Sequence, residues 1–166
     1  MRRREREIRK REQMEAILHE AQVGRLGTVS QDGTPMIKPV NFLYRNGRVY
    51  FHSAMEGEKM DHLAFRSSVC FEVDEPLGYW PASDLPCEAS FSFRSVILQG
   101  QARILEDPEE KIRVFHDLVE KYQPGARLRP LSKRMIQEVS IVEIVAEKMT
   151  GKENRLPEVE LQTPNP

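Results

Sequence analysis

The chain has 166 residues, of which 39% are hydrophobic and 31% charged, and its formal net charge is -1 at pH 7. That length suits one domain with a substantial core. A charge so near zero gives no global attraction to nucleic acid or to an anionic membrane. No apolar run approaches a membrane span, the basic start lacks the apolar segment of a signal peptide, and the two cysteines fit neither a zinc spacing nor a disulfide framework; a cytoplasmic protein is expected.

Seven basic residues crowd the first eleven, and Ile8, Met14, Ile17, Leu18 and Ala21 recur at roughly helical spacing, so residues 4–22 are expected to be helical up to Gly24. Three strands should follow as a meander, over about 24–30, 35–44 and 48–54. Asp32-Gly33 and Asn46-Gly47 mark their turns. Pro35 and Pro39 cannot donate to a ladder, which favours a strand start, an edge or a bend. A short amphipathic helix over 57–67 and a fourth strand over 68–74 come next. Residues 75–89 hold three prolines, a glycine and Tyr79-Trp80, and read as a long loop. A fifth strand is expected over 90–105, then a helix capped by Asp107 and opened by Pro108, running to about Tyr122. A turn of helix over 133–137 and a last strand over 139–149 complete the domain, placed at 1–152, with a loosely held tail over 153–166. These elements predict a mainly β fold, a six-stranded antiparallel barrel with peripheral helices.

Much chemistry is missing from the sequence. There is no Gly-x-Ser-x-Gly, no phosphate-binding Walker loop and no Gly-x-Gly-x-x-Gly. The four histidines, His19, His52, His62 and His116, are scattered, so no metal site is expected. What remains is the end of the third strand, Phe51-His-Ser-Ala-Met-Glu-Gly-Glu-Lys59, where hydroxyl, imidazole, glycine, free helical N–H groups and an ammonium converge as a phosphate-bearing ligand requires.

This stretch and the hairpin before it resemble the flavin-binding region of the FMN-binding split-barrel superfamily, which includes the pyridoxamine 5′-phosphate oxidases and the nitroimidazole-reductase (Nim-type) proteins. Gly24-Arg-Leu-Gly, Pro39-Val-Asn-Phe, Phe51-His-Ser-Ala, Val69-Cys-Phe-Glu-Val-Asp and Arg94-Ser-Val are most similar to the Nim-type group. The resemblance covers about residues 5–152 and implies a Greek-key split barrel. It also implies a homodimer with FMN at the subunit interface and oxidoreductase activity on a small planar substrate. By position, Ser53 and Lys59 keep the oxidases' phosphate-binding chemistry, and Glu58 stands where they carry arginine. Lys38 lies where they place another arginine, and Ser95, beside Arg94, takes the place of a ring-contacting glutamine. Backbone groups of Pro39, Val40, Asn41 and Phe42 would frame the ring's polar edge, with His52, Ser53 and Ala54 beside it.

His52 is the candidate catalytic donor, since its unperturbed pKa lies near neutrality. Strand alternation should put His52 and Ser53 on opposite faces. Each residue also has a plainer reading: Lys59 as a solvated first-turn lysine, Ser53 as a helix cap, Arg94 as a surface ion-pairing residue. Pyridoxamine phosphate is disfavoured as substrate, because Arg155-Leu156 is followed by Pro157 where the oxidases carry histidine. The other reading of the whole chain is a split barrel that holds flavin or haem without turnover. Nucleic-acid binding through the basic start lacks interleaved aromatics.

Overall fold

The computed structural model describes residues 3–155, apart from Ser83, Leu128 and the side chain of Lys133. Eight strands form one sheet: β1 (Glu7–Ile8), β2 (Gly24–Val29), β3 (Pro35–Val40), β4 (Leu43–Arg45), β5 (Arg48–Ser53), β6 (Ser68–Trp80), β7 (Ser90–Ile104) and β8 (Ser140–Asn154). Four α-helices accompany them: α1 (Arg11–Glu20), α2 (Glu58–Phe65), α3 (Pro108–Tyr122) and α4 (Lys133–Gln137). The strand order is β3-β2-β6-β7-β8-β5-β4, with β1 paired to β8. Among the described residues no helix is long and apolar enough to cross a membrane.

The expected strand count of six is corrected to eight for two reasons. Residues 35–44 do not form one strand: the chain leaves the ladder at Asn41-Phe42, so β3 pairs with β2 and β4 with β5. The expected helix over 4–22 begins only at Arg11. Before it, Glu7 and Ile8 pair with Lys152 and Gly151 of β8, and Ile8 is buried through that pairing rather than on a helix face.

Two further segments are more extended than expected. Residues 75–80, read as loop, continue β6, so Tyr79 and Trp80 stand on a strand, and the Tyr79 ring lies 5.2 Å from Phe91. β8 runs to Asn154, whose amide donates to the Phe91 carbonyl at 2.8 Å. The expected tail lies outside the described residues from 156 onward.

The chain divides into two compact units. One comprises Gln22–Glu72 and Leu98–Met149 and holds the meander, α2 and α3. Its hairpin turn is as the sequence demands: Asn46 (φ 52°) and Gly47 (φ 77°) both take positive φ between the paired Arg45 and Arg48. At Asp32-Gly33 the loop is one residue longer, closed by Ser30 N–H to the Thr34 carbonyl at 3.0 Å, with Gly33 at φ 90°. Leu26, Phe51, Phe71 and Ile144 are fully buried here, and α3 packs Val114 and Leu118 onto Tyr50, Leu105 and Ile141. Glu143 is buried opposite Tyr50 and bound by Tyr50, Arg48 and Arg103. Burial alone would raise its pKa; these partners hold it below the usual carboxylate value. The other unit comprises the described residues of Met1–Ala21, Val73–Ile97 and Thr150–Pro166, with Ile8, Met14, Ile17 and Leu18 buried.

Close backbone approach fixes one glycine in the first unit. A Cβ on Gly100 would sit 2.0 Å from the Val145 carbonyl oxygen, whereas one on Gly27 would meet its nearest atom, the Cys70 carbonyl oxygen, at 3.4 Å. Gly100→Ala should therefore lower unfolding free energy by about 1–3 kcal/mol or more, and Gly27→Ala should be neutral or mildly stabilising. Urea denaturation of both variants beside the parent checks the contrast.

Candidate functional site

The site is built on the last three residues of β5. β4 pairs with β5 only as far as Leu43 opposite Tyr50, while β8 follows β5 to Ser53 opposite Ser140. Phe51, His52 and Ser53 therefore have a ladder partner on one side and no β4 partner on the other. Alternation sends Val49, Phe51 and Ser53 to one face and Arg48, Tyr50 and His52 to the other, and the burial pattern agrees: Phe51 and Ser53 are buried and His52 is exposed.

The Ser53 face carries the cations. Lys59, in the first turn of α2, places Nζ 5.1 Å from the centroid of the Phe51 ring. Lys38, on β3, lies close enough that its charge acts on Lys59. Burial first, and the Lys38 charge second, push the Lys59 pKa below the usual lysine value. Glu58 is the local counter-charge, its Oε2 3.2 Å from Lys38 Nζ. Gly57 caps α2 at φ 116° and offers no side-chain cap bond, so first-turn N–H groups face the same end. Ser53 is thus not the cap of this helix. Two ammoniums, a hydroxyl and a helix start make a donor set suited to phosphate.

Structure separates the other expected residues. His52 turns to the α3 side and lines a slot of about 340 Å³ with Asn41, Phe115, Leu118, Val119, Tyr122 and Gln123. Pro39 and Val40 end β3 opposite Arg25 and Gly24. Ala54 is exposed just beyond β5. Phe42 is fully buried, and both its backbone groups are engaged: its N–H donates to the Tyr122 hydroxyl at 2.8 Å, and its carbonyl oxygen lies 3.0 Å from that hydroxyl. The same hydroxyl lies 2.8 Å from the Gln22 carbonyl oxygen. Phe42 therefore anchors the bend with an N–H that is not free for a ligand, while the single hydroxyl proton is divided between the Gln22 and Phe42 carbonyl oxygens. In the other unit, Arg94 is held by Glu75 and Glu20, each at 2.5 Å, beside half-buried Ser95 on β7.

Sequence reasoning missed Lys121 and Tyr122. They close α3, and its helical periodicity marked them only as part of an amphipathic helix. Lys121 Nζ sits 3.9 Å from the centroid of the Phe42 ring. Burial pushes its pKa down to about 8, against the attraction of the ring face for the charged form.

The antiparallel sheet with its peripheral helices is a split barrel. The chain belongs to the family described as pyridoxamine 5′-phosphate oxidase, whose model matches residues 10–153. Solved structures share the fold. A candidate 5-nitroimidazole antibiotic resistance protein from Bacteroides thetaiotaomicron is 26% identical with a TM-score of 0.76, covering 89% of this chain and 86% of that one. A flavocytochrome from Azotobacter vinelandii is 24% identical with a TM-score of 0.84, covering 98% and 75%. An FAD and heme binding protein from Mycobacterium smegmatis is 20% identical with a TM-score of 0.82, covering 91% and 74%. No curated protein matches the sequence.

The Lys121 environment predicts a pH signature. With its pKa lowered in the folded state from 10.5 to about 8, the unfolded chain binds more protons between those values, so this residue makes stability rise with pH across that window. Relative to Lys121→Met, the parent should gain unfolding free energy from pH 8 to 10.5. Urea titrations of both proteins at three pH values in that range check the slope.

Proposed function

We propose that the protein is an FMN-dependent oxidoreductase, in which Lys38, Lys59, Ser53 and the start of α2 hold the flavin phosphate. The observation that carries this reading is the pair of ammoniums on one face of the β5 end, close enough for one to depress the other's pKa. Like charges kept together in a half-exposed corner are best satisfied by a multiply charged anion. The donor set fits a phosphate monoester: two cations, a hydroxyl and uncapped helical N–H groups. When bound, the flavin ring supplies hydride or electron transfer. The chain's own part is to anchor the phosphate, to offer the open backbone edge of Phe51–Ser53 to the rest of the cofactor, and to orient a small planar substrate. His52 reaches a ligand on the Ser53 face only through its backbone groups.

A homodimer with the flavin at its interface is part of the proposal. β3 supports it: this strand ends the sheet order, its burial pattern shows no buried face, and Ile37 is 69% exposed. Pro35 and Pro39 withhold N–H groups along that edge, so a partner would cover the face of β3 rather than extend the ladder. Light scattering in the presence of FMN should give twice the 19.3 kDa chain mass; a monomer at micromolar concentration counts against the dimer.

The second reading is a binder of flavin or haem without turnover. The flavocytochrome and the FAD and heme binding protein among the fold neighbours favour keeping it in view. The absorbance of protein purified without added cofactor separates the two ligands, by flavin bands or a Soret band.

The phosphate assignment has its own test. Lys59→Ala removes a charge-assisted contact of about 1.5–3 kcal/mol, so the FMN dissociation constant should rise roughly ten- to more than a hundredfold. Riboflavin, without the phosphate, should be little affected. FMN affinity should also fall with rising pH as Lys59 loses its proton, at a lower pH than an ordinary lysine would. Equal loss for both ligands makes Lys59 a structural residue.

A further inference from the structure

The turn between β4 and β5 holds a reaction as well as a shape. Positive φ at both of its central positions selects asparagine and glycine. The same pair sets a side-chain amide beside a main-chain nitrogen that no following side chain shields. Asn46 is exposed, and among the described residues its side chain has no hydrogen bond. Arg45 and Arg48 form the last pair of the β4–β5 ladder, so the Gly47 N–H lies beyond it without a strand partner. The Gly47 carbonyl oxygen does accept, from the Ala146 N–H at 3.3 Å.

Each of the chain's other asparagines lacks these features. Asn41 precedes a bulky Phe42, and its side chain is bonded to the Tyr122 hydroxyl. Asn154 is buried, precedes Arg155 and donates to the Phe91 carbonyl at 2.8 Å. Asn165 precedes Pro166, whose nitrogen carries no proton to give up.

The turn also matters more to one flanking strand than to the other. β5 is held by β8 over six residue pairs from Arg48 to Ser53. β4 has three residues, ends the strand order and pairs with β5 alone.

We propose that Asn46 is a site of spontaneous deamidation and that the isoaspartate formed there releases β4 from β5. The Gly47 nitrogen gives its proton to solvent base and bonds to Asn46 Cγ. The side-chain nitrogen departs as ammonia, leaving a five-membered succinimide. Water then opens the ring at one of two bonds. Breaking the new bond, from Gly47 nitrogen to Cγ, gives aspartate. Breaking the original peptide bond instead routes the main chain through Cβ and Cγ and gives isoaspartate. Nothing is oxidised or reduced, and water is the only co-reactant. The isoaspartyl link adds one carbon to a loop whose two residues match the twist of the strands they join. With β5 fixed by β8, β4 is the strand that separates. The reaction is independent of the flavin and of the Lys38–Lys59 corner.

The test ages the full chain at pH 8 and 37 °C and maps it with a glutamate-specific protease, since trypsin cuts on both sides of the turn. Fragmentation by electron transfer separates aspartate from isoaspartate. Loss of the amide at position 46, with both products, is expected, while positions 41 and 154 keep theirs. Native trypsin cleavage after Arg45 and Arg48 should be about fivefold or more faster in the aged chain, as a local loss of stability of that size dictates. Asn46→Gly keeps the turn and cannot react, so its cleavage should not change with ageing. Asn46→Asp carries the new charge without the added carbon and should be cleaved like the fresh parent. Thermal melts establish that both variants are folded. Retention of the amide at position 46, or faster loss at position 41 or 154, overturns the site. Aspartate without isoaspartate, or isoaspartate without faster cleavage, overturns the release of β4.

Discussion

The two-residue period of a single strand end organises this molecule's chemistry. Because β5 continues along β8 after β4 has left it, Phe51, His52 and Ser53 keep strict alternation while one backbone edge opens. Ser53 then shares a face with Phe51, over whose ring Lys59 sits, and His52 is delivered to α3. A one-residue slip would exchange these roles, placing the imidazole among the cations and the hydroxyl in the apolar slot. The type I′ turn at Asn46-Gly47 and the six-residue pairing with β8 fix the register against it.

The departure of β4 depends in turn on Tyr122. Where the chain bends between β3 and β4, Phe42 is buried, and its N–H requires a partner away from the ladder. The Tyr122 hydroxyl provides it and reaches the Gln22 carbonyl oxygen as well, tying the end of α3 to the start of β2 and to the bend. The Lys121 ammonium covers the outer face of the Phe42 ring, whose centroid lies 4.9 Å from that of Phe71. Phe71 meets Gly24 so closely that a Cβ there would fall 2.0 Å from its ring. Gly24, read in the sequence as a helix stop, is equally a packing requirement.

What the sequence made legible were features with local causes. Asp107 accepts from the Glu109 N–H at 3.0 Å with Pro108 behind it, so α3 begins where its cap and proline place it. The Asn-Gly turn, α2, β7 and the alternation at His52-Ser53 were likewise readable. The errors share one cause, pairing between distant segments. Glu7-Ile8 has no strand signal and becomes β1 only because β8 extends to Asn154. Pro76 and Gly78 speak against a strand, yet β6 continues through them, with Tyr79 packed on Phe91 and Glu75 bound to Arg94. At the site, the Ser53–Lys59 grouping could be read from seven residues of chain. The slot could not, because Asn41, His52 and α3 lie up to 81 positions apart, and α3's apolar stripe looks the same whether it fills a core or lines a cavity.

Glu58 is where a comparison of sequences and a reading of charges diverge. As a replacement for arginine it puts an anion in the proposed phosphate corner. In the structure that anion does two other things: it stands at the N-terminus of α2, where negative charge is favoured, and it pairs with Lys38 beside Lys59. The pair is open to solvent, with 46% of the Lys38 side chain and 63% of the Glu58 side chain exposed, and pairs of that kind contribute only about 0–1 kcal/mol. On the proposed reading, a phosphate offering several charge-assisted bonds to Lys38, Lys59 and the helix N–H groups would outcompete one exposed carboxylate for Lys38. Until it does, Glu58 offsets the repulsion between the two lysines and keeps Lys38 in place. On the proposed reading the charge reversal therefore leaves the corner able to accept a dianion, with part of the binding energy going into displacing a weak internal partner.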